Sequence, residues 1–441
     1  MADRTRWTDI FRNGLAGALV LAGLLAGPGA WGQTAFPETA DLADYLAWAR
    51  THAPRVTGAS AAADALTAQA EGAGALPDLK LAWGEMIVPV ETRVGPQQRV
   101  FSVSQSLPWF GTLGLRREAA EAGAATAGAR LTAVTLDLEQ KIRAAWSTLA
   151  VAQGERVLLE DHLDLAGQIE TITRAGYEAG EAQYGQVLQA EMETGRLQSR
   201  LEILAHRLAV LTVKLNTLTG LAADHPMPVA SLSEAPPQTG ESTLDDLLSR
   251  LAAHNPDLQA LAHETESRRV AVDLAGKAGK PGLTLGVDYI MTGPALQPDL
   301  ADSGKDPIIA RVAVAVPLWG GRAKAEQQAA VSRLAAAQAQ QTSARLDLTA
   351  HLAEAFFQVQ QSRALIDLYG LTLLPRARQA LVVTRADYES GRAPFAALIE
   401  ARRDLLTLEL DLLQARSDQR LALDGLAALL GDTAPLKGDR S

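Results

Sequence analysis

Seven histidines, no cysteine and a scatter of carboxylates are the side chains from which this 441-residue sequence could build a reactive site. The histidines stand at His52, His162, His206, His225, His254, His263 and His351. No two of them are four apart, the spacing that puts two imidazoles on one helix face for a metal, and no Gly-rich loop is present to cradle a phosphate. No catalytic, cofactor-binding or metal-ligating set is expected, so the sequence reads as a non-enzyme. The lack of cysteine removes disulfides, thiolate metal sites and lipid attachment at Cys. Met86 and Met291 remain, and a thioether suits soft copper or silver ions. Met is equally a gap-filling apolar side chain.

What would position any site is a long internal repeat. Residues 174–220 begin Arg174-Ala175-Gly176-Tyr177-Glu178-Ala179-Gly180, and residues 385–431 begin Arg385-Ala386-Asp387-Tyr388-Glu389-Ser390-Gly391. The offset is 385 − 174 = 211 residues and holds without a gap. It matches Tyr177 with Tyr388, Gly180 with Gly391, Tyr184 with Phe395, Leu188 with Ile399 and Ala190 with Ala401. Each copy reads as a helix end, a Gly turn and a second long helix. Solenoid units are about 20–50 residues, so this spacing implies two homologous halves of one architecture. The division expected is a first repeat at 33–220, a linker at 221–243, a second repeat at 244–431 and a polar tail at 432–441.

Aromatics make up only 5% of the chain while Ala is abundant, a balance suited to long, closely packed helices. The net charge of −10, without a basic run interleaved with aromatics, argues against nucleic acid. At the N-terminus, Arg4, Arg6 and Arg12 precede an apolar run at 15–25, Gly27-Pro28-Gly29 breaks it, and small residues lead to Gly32. That layout predicts a secretory signal peptide over 1–32. The competing reading, a membrane anchor, needs about 20 apolar residues. With no other helical span in sight, a place in a membrane would have to be taken by strands.

Two short helices are predicted at 42–50 and 55–73, broken at His52-Ala53-Pro54. They are echoed at 244–253 and 258–277 around His254-Asn255-Pro256. Pro disfavours helix in the residue before it. Strands follow at 79–87 and 99–105, then at 283–291 and 308–316, each alternating apolar with small or polar residues. Such strands fit a membrane barrel, and a soluble antiparallel sheet has the same period. The stretches at 88–98 and 292–307 read as solvated loops. Pro108-Trp109 and Pro317-Leu318-Trp319 close the second strand of each pair. Trp109 and Trp319 are candidates for a membrane-interface belt or for packed corners. Helices of about 60 residues are predicted over 113–175 and 323–386, with Pro375 kinking or unwinding the second. In the first return helix, Leu197, Leu201, Leu204, Leu208, Leu211, Leu215 and Leu218 step by four and three, a coiled-coil seam. The second copy offers Leu408, Leu412, Ala415, Gln419, Ala422, Leu426 and Leu429.

The order of these features resembles the outer-membrane efflux protein (TolC) family over essentially all of the chain beyond the signal. The likeness rests on the signal, the two Pro breaks, the strand pairs, the Val316-Pro317-Leu318-Trp319-Gly320-Gly321-Arg322 corner and the Tyr-x-x-Gly turns. The Ser104–Gly111 corner, Ser-Gln-Ser-Leu-Pro-Trp-Phe-Gly, resembles versions in the heavy-metal efflux branch. The resemblance implies a mainly α fold with a small β part. Long antiparallel coiled-coil helices would carry four transmembrane strands per protomer. A homotrimer would close a 12-stranded β-barrel above a periplasmic α-helical tunnel. Elementary physics points the same way, since four strands cannot close on themselves and an open edge is not tolerated in lipid.

The same resemblance implies a place in the outer membrane of a Gram-negative cell, among outer-membrane lipid. Its partners would be a periplasmic adaptor (membrane fusion) protein and an inner-membrane pump of the resistance-nodulation-division or ABC type. The turns around Tyr177, Gly180 and Tyr184, and around Tyr388, Gly391 and Phe395, would be the adaptor-docking tips. Ala397 and Glu400 fall where family members narrow the tunnel with acids. Only Glu400 keeps the carboxylate, so a two-ring gate is not expected. The function implied is a passive exit duct for a tripartite efflux system, with heavy-metal cations, drugs or a secreted protein as cargo. A pore-less coiled-coil structural protein is the alternative of another class, and the amphipathic strands argue against it.

Overall fold

The computed structural model describes residues 36–37, 39–232, 243–297 and 300–431. The signal (1–32), residues 233–242 of the linker and the tail (432–441) lie outside the described residues. Contacts divide the chain into Met1–Ala40 and Asp41–Ser441, and every element below belongs to the second unit.

Helices α1 (Leu42–His52) and α2 (Pro54–Ala73) come first. Asp41 and Asp44 form a reciprocal capping box that satisfies two orphan N–H groups of α1. Pro54 opens α2 at a position that needs no N–H. The second half repeats the device. Thr243 and Asp246 cap α5 (Leu244–His254), and Pro256 opens α6 (Pro256–Lys277) with the Asn255 side chain accepting from the Leu258 N–H at 3.0 Å.

The strands form one antiparallel sheet in chain order: β1 (Lys80–Thr92), β2 (Gly95–Leu107), β3 (Gly282–Thr292) and β4 (Ile308–Ala315). β2 pairs with β3 from Gln97↔Thr292 to Leu107↔Leu283, so the central ladder joins the two halves. β1 and β4 are edges. The sequence reading of 88–98 as a loop is corrected: β1 and β2 continue through it, with Val90↔Gln97 and Thr92↔Gly95 paired. Pro89 is tolerated because β1 is an edge strand and a register shift separates Glu85 from Val90. β4 is exposed along its whole length, and Leu81, Trp83 and Ile87 stand out from β1. Across the sheet, Asp288 is buried, accepts from Ser102 Oγ at 2.6 Å and is ion-paired with Arg311. One face of the sheet is therefore apolar and open, and the other is polar.

Helix α3 (Thr112–Glu178) runs 67 residues, about 100 Å at the α-helical rise, and returns through α4 (Tyr184–Thr219). Its counterpart divides into α7 (Gly321–Asp367), a π-turn at Leu368–Leu373, and α8 (Leu374–Glu389), followed by α9 (Phe395–Leu429). Pro375 sits in the first turn of α8. The wide turn just before it takes up the backbone bond and the space that a proline denies an α-helix. In α4 the predicted seam is buried or half-buried, with Leu197, Leu204, Leu208 and Leu215 inside. In α9 the predicted seam is likewise buried or half-buried, with Ala415 and Ala422 inside, but further residues are buried beside it. Leu408, Leu412, Leu426 and Leu429 are half-buried, while Leu398, Arg402, Leu405 and Leu406 are fully buried. The difference has a cause: α9 is packed by α3, α7 and α8 together, so its buried arc is wider. Among the described residues no helix is long and apolar enough to cross a membrane.

Candidate functional site

The two hairpin turns have one backbone design. In the first, the Gly180 N–H donates to Tyr177 O at 3.0 Å and the Glu181 N–H to Gly176 O at 2.8 Å. In the second, the Gly391 N–H donates to Tyr388 O at 2.9 Å and the Arg392 N–H to Asp387 O at 2.7 Å. A bond spanning six residues closed around a left-handed residue is a Schellman stop. Gly180 and Gly391 hold φ at +78° and +74°, where a Cβ is unfavourable. Each turn also packs an aromatic pair, Tyr177 tilted against Tyr184 and Tyr388 edge-on to Phe395, both with ring centroids 5.5 Å apart.

The same turn is dressed differently in its two settings. Tyr184 is 57% exposed and Tyr177 is also exposed, whereas Phe395 is only 2% exposed. Phe395 belongs to a core cluster with Leu374, Leu381, Leu398, Ile399 and Leu405 of its own half, and Ile169 and Ala190 of the other. Tyr388 packs against that cluster, its hydroxyl 3.5 Å from Thr173 Oγ1 and Gln186 Oε1. The second tip is thus seated on the first hairpin, and the first presents its aromatics to solvent.

Ala397 and Glu400 lie one turn apart on α9 and line a single groove of 550 Å³ against α8. Ala397 is half-buried and Glu400 exposed. Asp404 and Arg376 line the same groove. Asp404 was missed by sequence reasoning, although the signal was available: it stands four residues from Glu400 and so on the same helix face. The repeat offset makes its mate Glu193 (404 − 211 = 193).

Glu193 has gone inward. It accepts from Arg402 Nη2 at 2.7 Å and from Arg196 Nη1 at 2.8 Å, and it is ion-paired with Arg403. The Arg402 side chain is 2% exposed, and its Nε and Nη1 have no hydrogen-bond partner among the described residues. The hydrogen bond from Arg403 is the main reason the Glu193 carboxyl is held below its ordinary pKa, against the opposing effect of burial. Burial lowers the Arg402 pKa. A second charged clasp joins three helices: His162 Nε2 of α3 lies 3.0 Å from Glu409 of α9, which accepts from Arg378 of α8 at 2.9 Å. These bonds, His162 first, depress the Glu409 pKa.

The strand corners lie away from the tips. Trp109 is partly exposed and packs edge-on to Phe110, and Trp319 is 85% exposed. Met86 and Met291 are not brought together, because β2 separates their strands by about two interstrand spacings, roughly 10 Å. Among the described residues no group of three or more His, Asp or Glu could hold a metal ion.

Residues 247–432 match the outer membrane efflux protein family. The match covers the second repeat and less than half of the chain. Structural neighbours of the chain include outer-membrane channels. A curated relative, the nickel-cobalt-cadmium resistance protein NccC of Alcaligenes xylosoxydans xylosoxydans, is 26% identical over 60% of this chain. The match spans 57% of that relative's length. Among solved structures, the outer membrane protein VceC of Vibrio cholerae superposes with a TM-score of 0.75 at 21% identity, covering 88% of this chain and 96% of that one. CusC, described with transmembrane channel formation, superposes at 0.72 and 17% identity over 90% and 93%. The fold of these two proteins is the fold of this chain.

Proposed function

We propose that this chain is a member of the outer membrane efflux protein family, that it is the outer-membrane exit duct of a tripartite system, and that it works as a homotrimer. The observation that carries the reading is the sheet: four strands, two unpaired edges, and an outward apolar face on β1 and β4. Unpaired backbone in hydrocarbon costs several kcal/mol per group. Three copies placed edge to edge would pair β4 of one with β1 of the next and remove every edge, giving twelve strands. The helix hairpins would then line a periplasmic conduit, built from the repeats at 33–220 and 244–431. Transport through such a duct is passive, with energy supplied by an inner-membrane pump through an adaptor.

In this reading the tips at Tyr177–Gly180–Tyr184 and Tyr388–Gly391–Phe395 meet the adaptor. The exposed first tip offers the aromatic contacts. Ala397, Glu400 and Asp404 face the constriction. Under three-fold symmetry Glu400 and Asp404 make two stacked rings of three carboxylates, which favour cations. The resistance named for NccC supports nickel, cobalt or cadmium as the class of cargo, carried through rather than held.

The test is direct. Mature protein from outer-membrane fractions should run as a heat-modifiable trimer and give single-channel steps in planar bilayers. A water-soluble monomer that never conducts would refute the reading. Deleting the gene should sensitise cells to divalent heavy metals. Sensitisation to detergents and dyes with unchanged metal tolerance would move the cargo to drug-like compounds.

A further inference from the structure

A groove of 520 Å³ lies where β2 ends, α3 begins and α6 hands over to β3. Its floor is apolar, with Ala271, Leu274 and Ala330. Its wall carries Arg116, Lys277, Lys280 and Arg333, none of which has an ion-pair partner among the described residues. Arg268 also lines it but is held by Glu264 at 3.3 Å, and the one acid there, Glu326, is bonded to Arg322 at 2.9 Å. Four uncompensated cations therefore share one recess in a chain whose net charge is −10.

Two further observations point to a ligand. Helix α3 starts at the groove with no side-chain cap, after Gly111 at φ +81°, so its N-terminal N–H groups add positive potential. Lys277 Nζ stands within 4.0 Å of where a Cβ on Gly111 would lie, close to that helix end. Thr112, which lines the groove, is only 7% exposed, and its Oγ1 has no hydrogen-bond partner. A buried hydroxyl without a partner is costly, and a native structure normally fills it.

We infer that this groove binds the phosphate of an anionic phospholipid, in the leaflet bordering the helical part of the molecule. The inference rests on the outer-membrane reading above. The phosphate would take its bonds from Lys277, Arg116 and the uncapped start of α3, with Thr112 Oγ1 donating to a phosphate oxygen. The lipid source is favoured over free phosphate by the apolar floor and by position. The groove adjoins the strand corner where Trp109 and Phe110 are exposed, the latter by 82%, and where the open apolar face of the sheet ends. Aromatic side chains sit at headgroup level, and basic residues just beyond meet the lipid phosphates.

The full-length trimer is titrated by native mass spectrometry with phosphatidylglycerol, with phosphatidylcholine and with inorganic phosphate as competitor. The wild type should retain phosphatidylglycerol in preference to phosphatidylcholine, and inorganic phosphate should compete weakly. A basic residue near an anionic surface is worth enough that each charge removed weakens binding about fivefold. Arg116→Gln, Lys277→Gln and Lys280→Gln together should therefore lose on the order of a hundredfold. Lys277→Arg with Lys280→Arg should keep the wild-type preference and guards against a folding artefact. Equal affinity for the two lipids, or a triple variant that binds like the wild type, overturns the inference. Full displacement by inorganic phosphate at matched concentration assigns the groove to a free anion and rejects the lipid. Bilayer conductance of the same preparation tests the channel reading separately. Conducting trimers without lipid preference sink only the groove, and an absence of conductance sinks the channel.

Discussion

Glu193→Ala should be among the most damaging single substitutions in this protein, and its cost follows from what it leaves behind. Glu193 partners three guanidinium groups, but they are unequal. Those of Arg196 and Arg403 are 66% and 50% exposed, so their pairs contribute about 0–1 kcal/mol each. Arg402 is buried, and Glu193 is the only acceptor it has among the described residues. Truncating one partner of a buried pair costs about 3–5 kcal/mol, because the surviving charge is stranded. Removing both charges with Glu193→Leu and Arg402→Met should bring the protein back to within about 1 kcal/mol of wild type. The assay is a double-mutant cycle on purified trimers, read as loss of helical circular dichroism in denaturant. The pH dependence has a defined sign. The Glu193 carboxyl titrates below its ordinary 4.5 in the folded chain. Its contribution is therefore full above that value and fades as pH falls through the depressed one. Wild type and Glu193→Ala should differ fully at pH 7 and converge in acid. A single variant within about 1 kcal/mol of wild type, or a double variant as weak as the single, would refute the reasoning.

Glu400→Ala should lower cation selectivity in single-channel recordings, and Glu400→Ala with Asp404→Ala should lower it further; unchanged reversal potentials would remove both from the constriction. Phe395→Ala should cost about 3–5 kcal/mol by emptying a filled core site, whereas the exposed Tyr184→Ala should leave thermal unfolding unchanged and weaken adaptor binding, as measured by pull-down. Gly391→Val meets open space but a left-handed backbone. It should cost about 1–2 kcal/mol and reduce efflux while trimers persist, and wild-type efflux would count against the tip assignment.

Local rules made much of the fold legible. Proline breaks placed the paired short helices, period-two alternation placed four strands, and Tyr-x-x-Gly at a 211-residue offset placed two turns. Pro375 announced a disturbance in the second long helix, though not its form as a π-turn. The failures came where tertiary context decides. Pro89, Gly95 and Pro96 look like loop punctuation, yet strands pair through them. The tips match in sequence, but Phe395 is buried because it faces the first hairpin, whereas Tyr184 faces solvent. Glu193 and Arg402 are 209 residues apart, and nothing in one-dimensional spacing joins them. Asp404 could have been read from its helical phase with Glu400.

The wide turn at Leu368–Leu373 also sets an angular phase. An α-helix advances about 100° for each residue, so a residue absorbed by a π-turn twists everything after it around the axis without lengthening the rod to match. Leu374 and Leu381, the buried side chains of α8, owe their inward bearing to that twist. Removing one residue from the turn would restore regular winding and swing both toward water, unseating Phe395 from its cluster. The second hairpin is therefore clocked by one irregular turn, and the first reaches its own orientation with none.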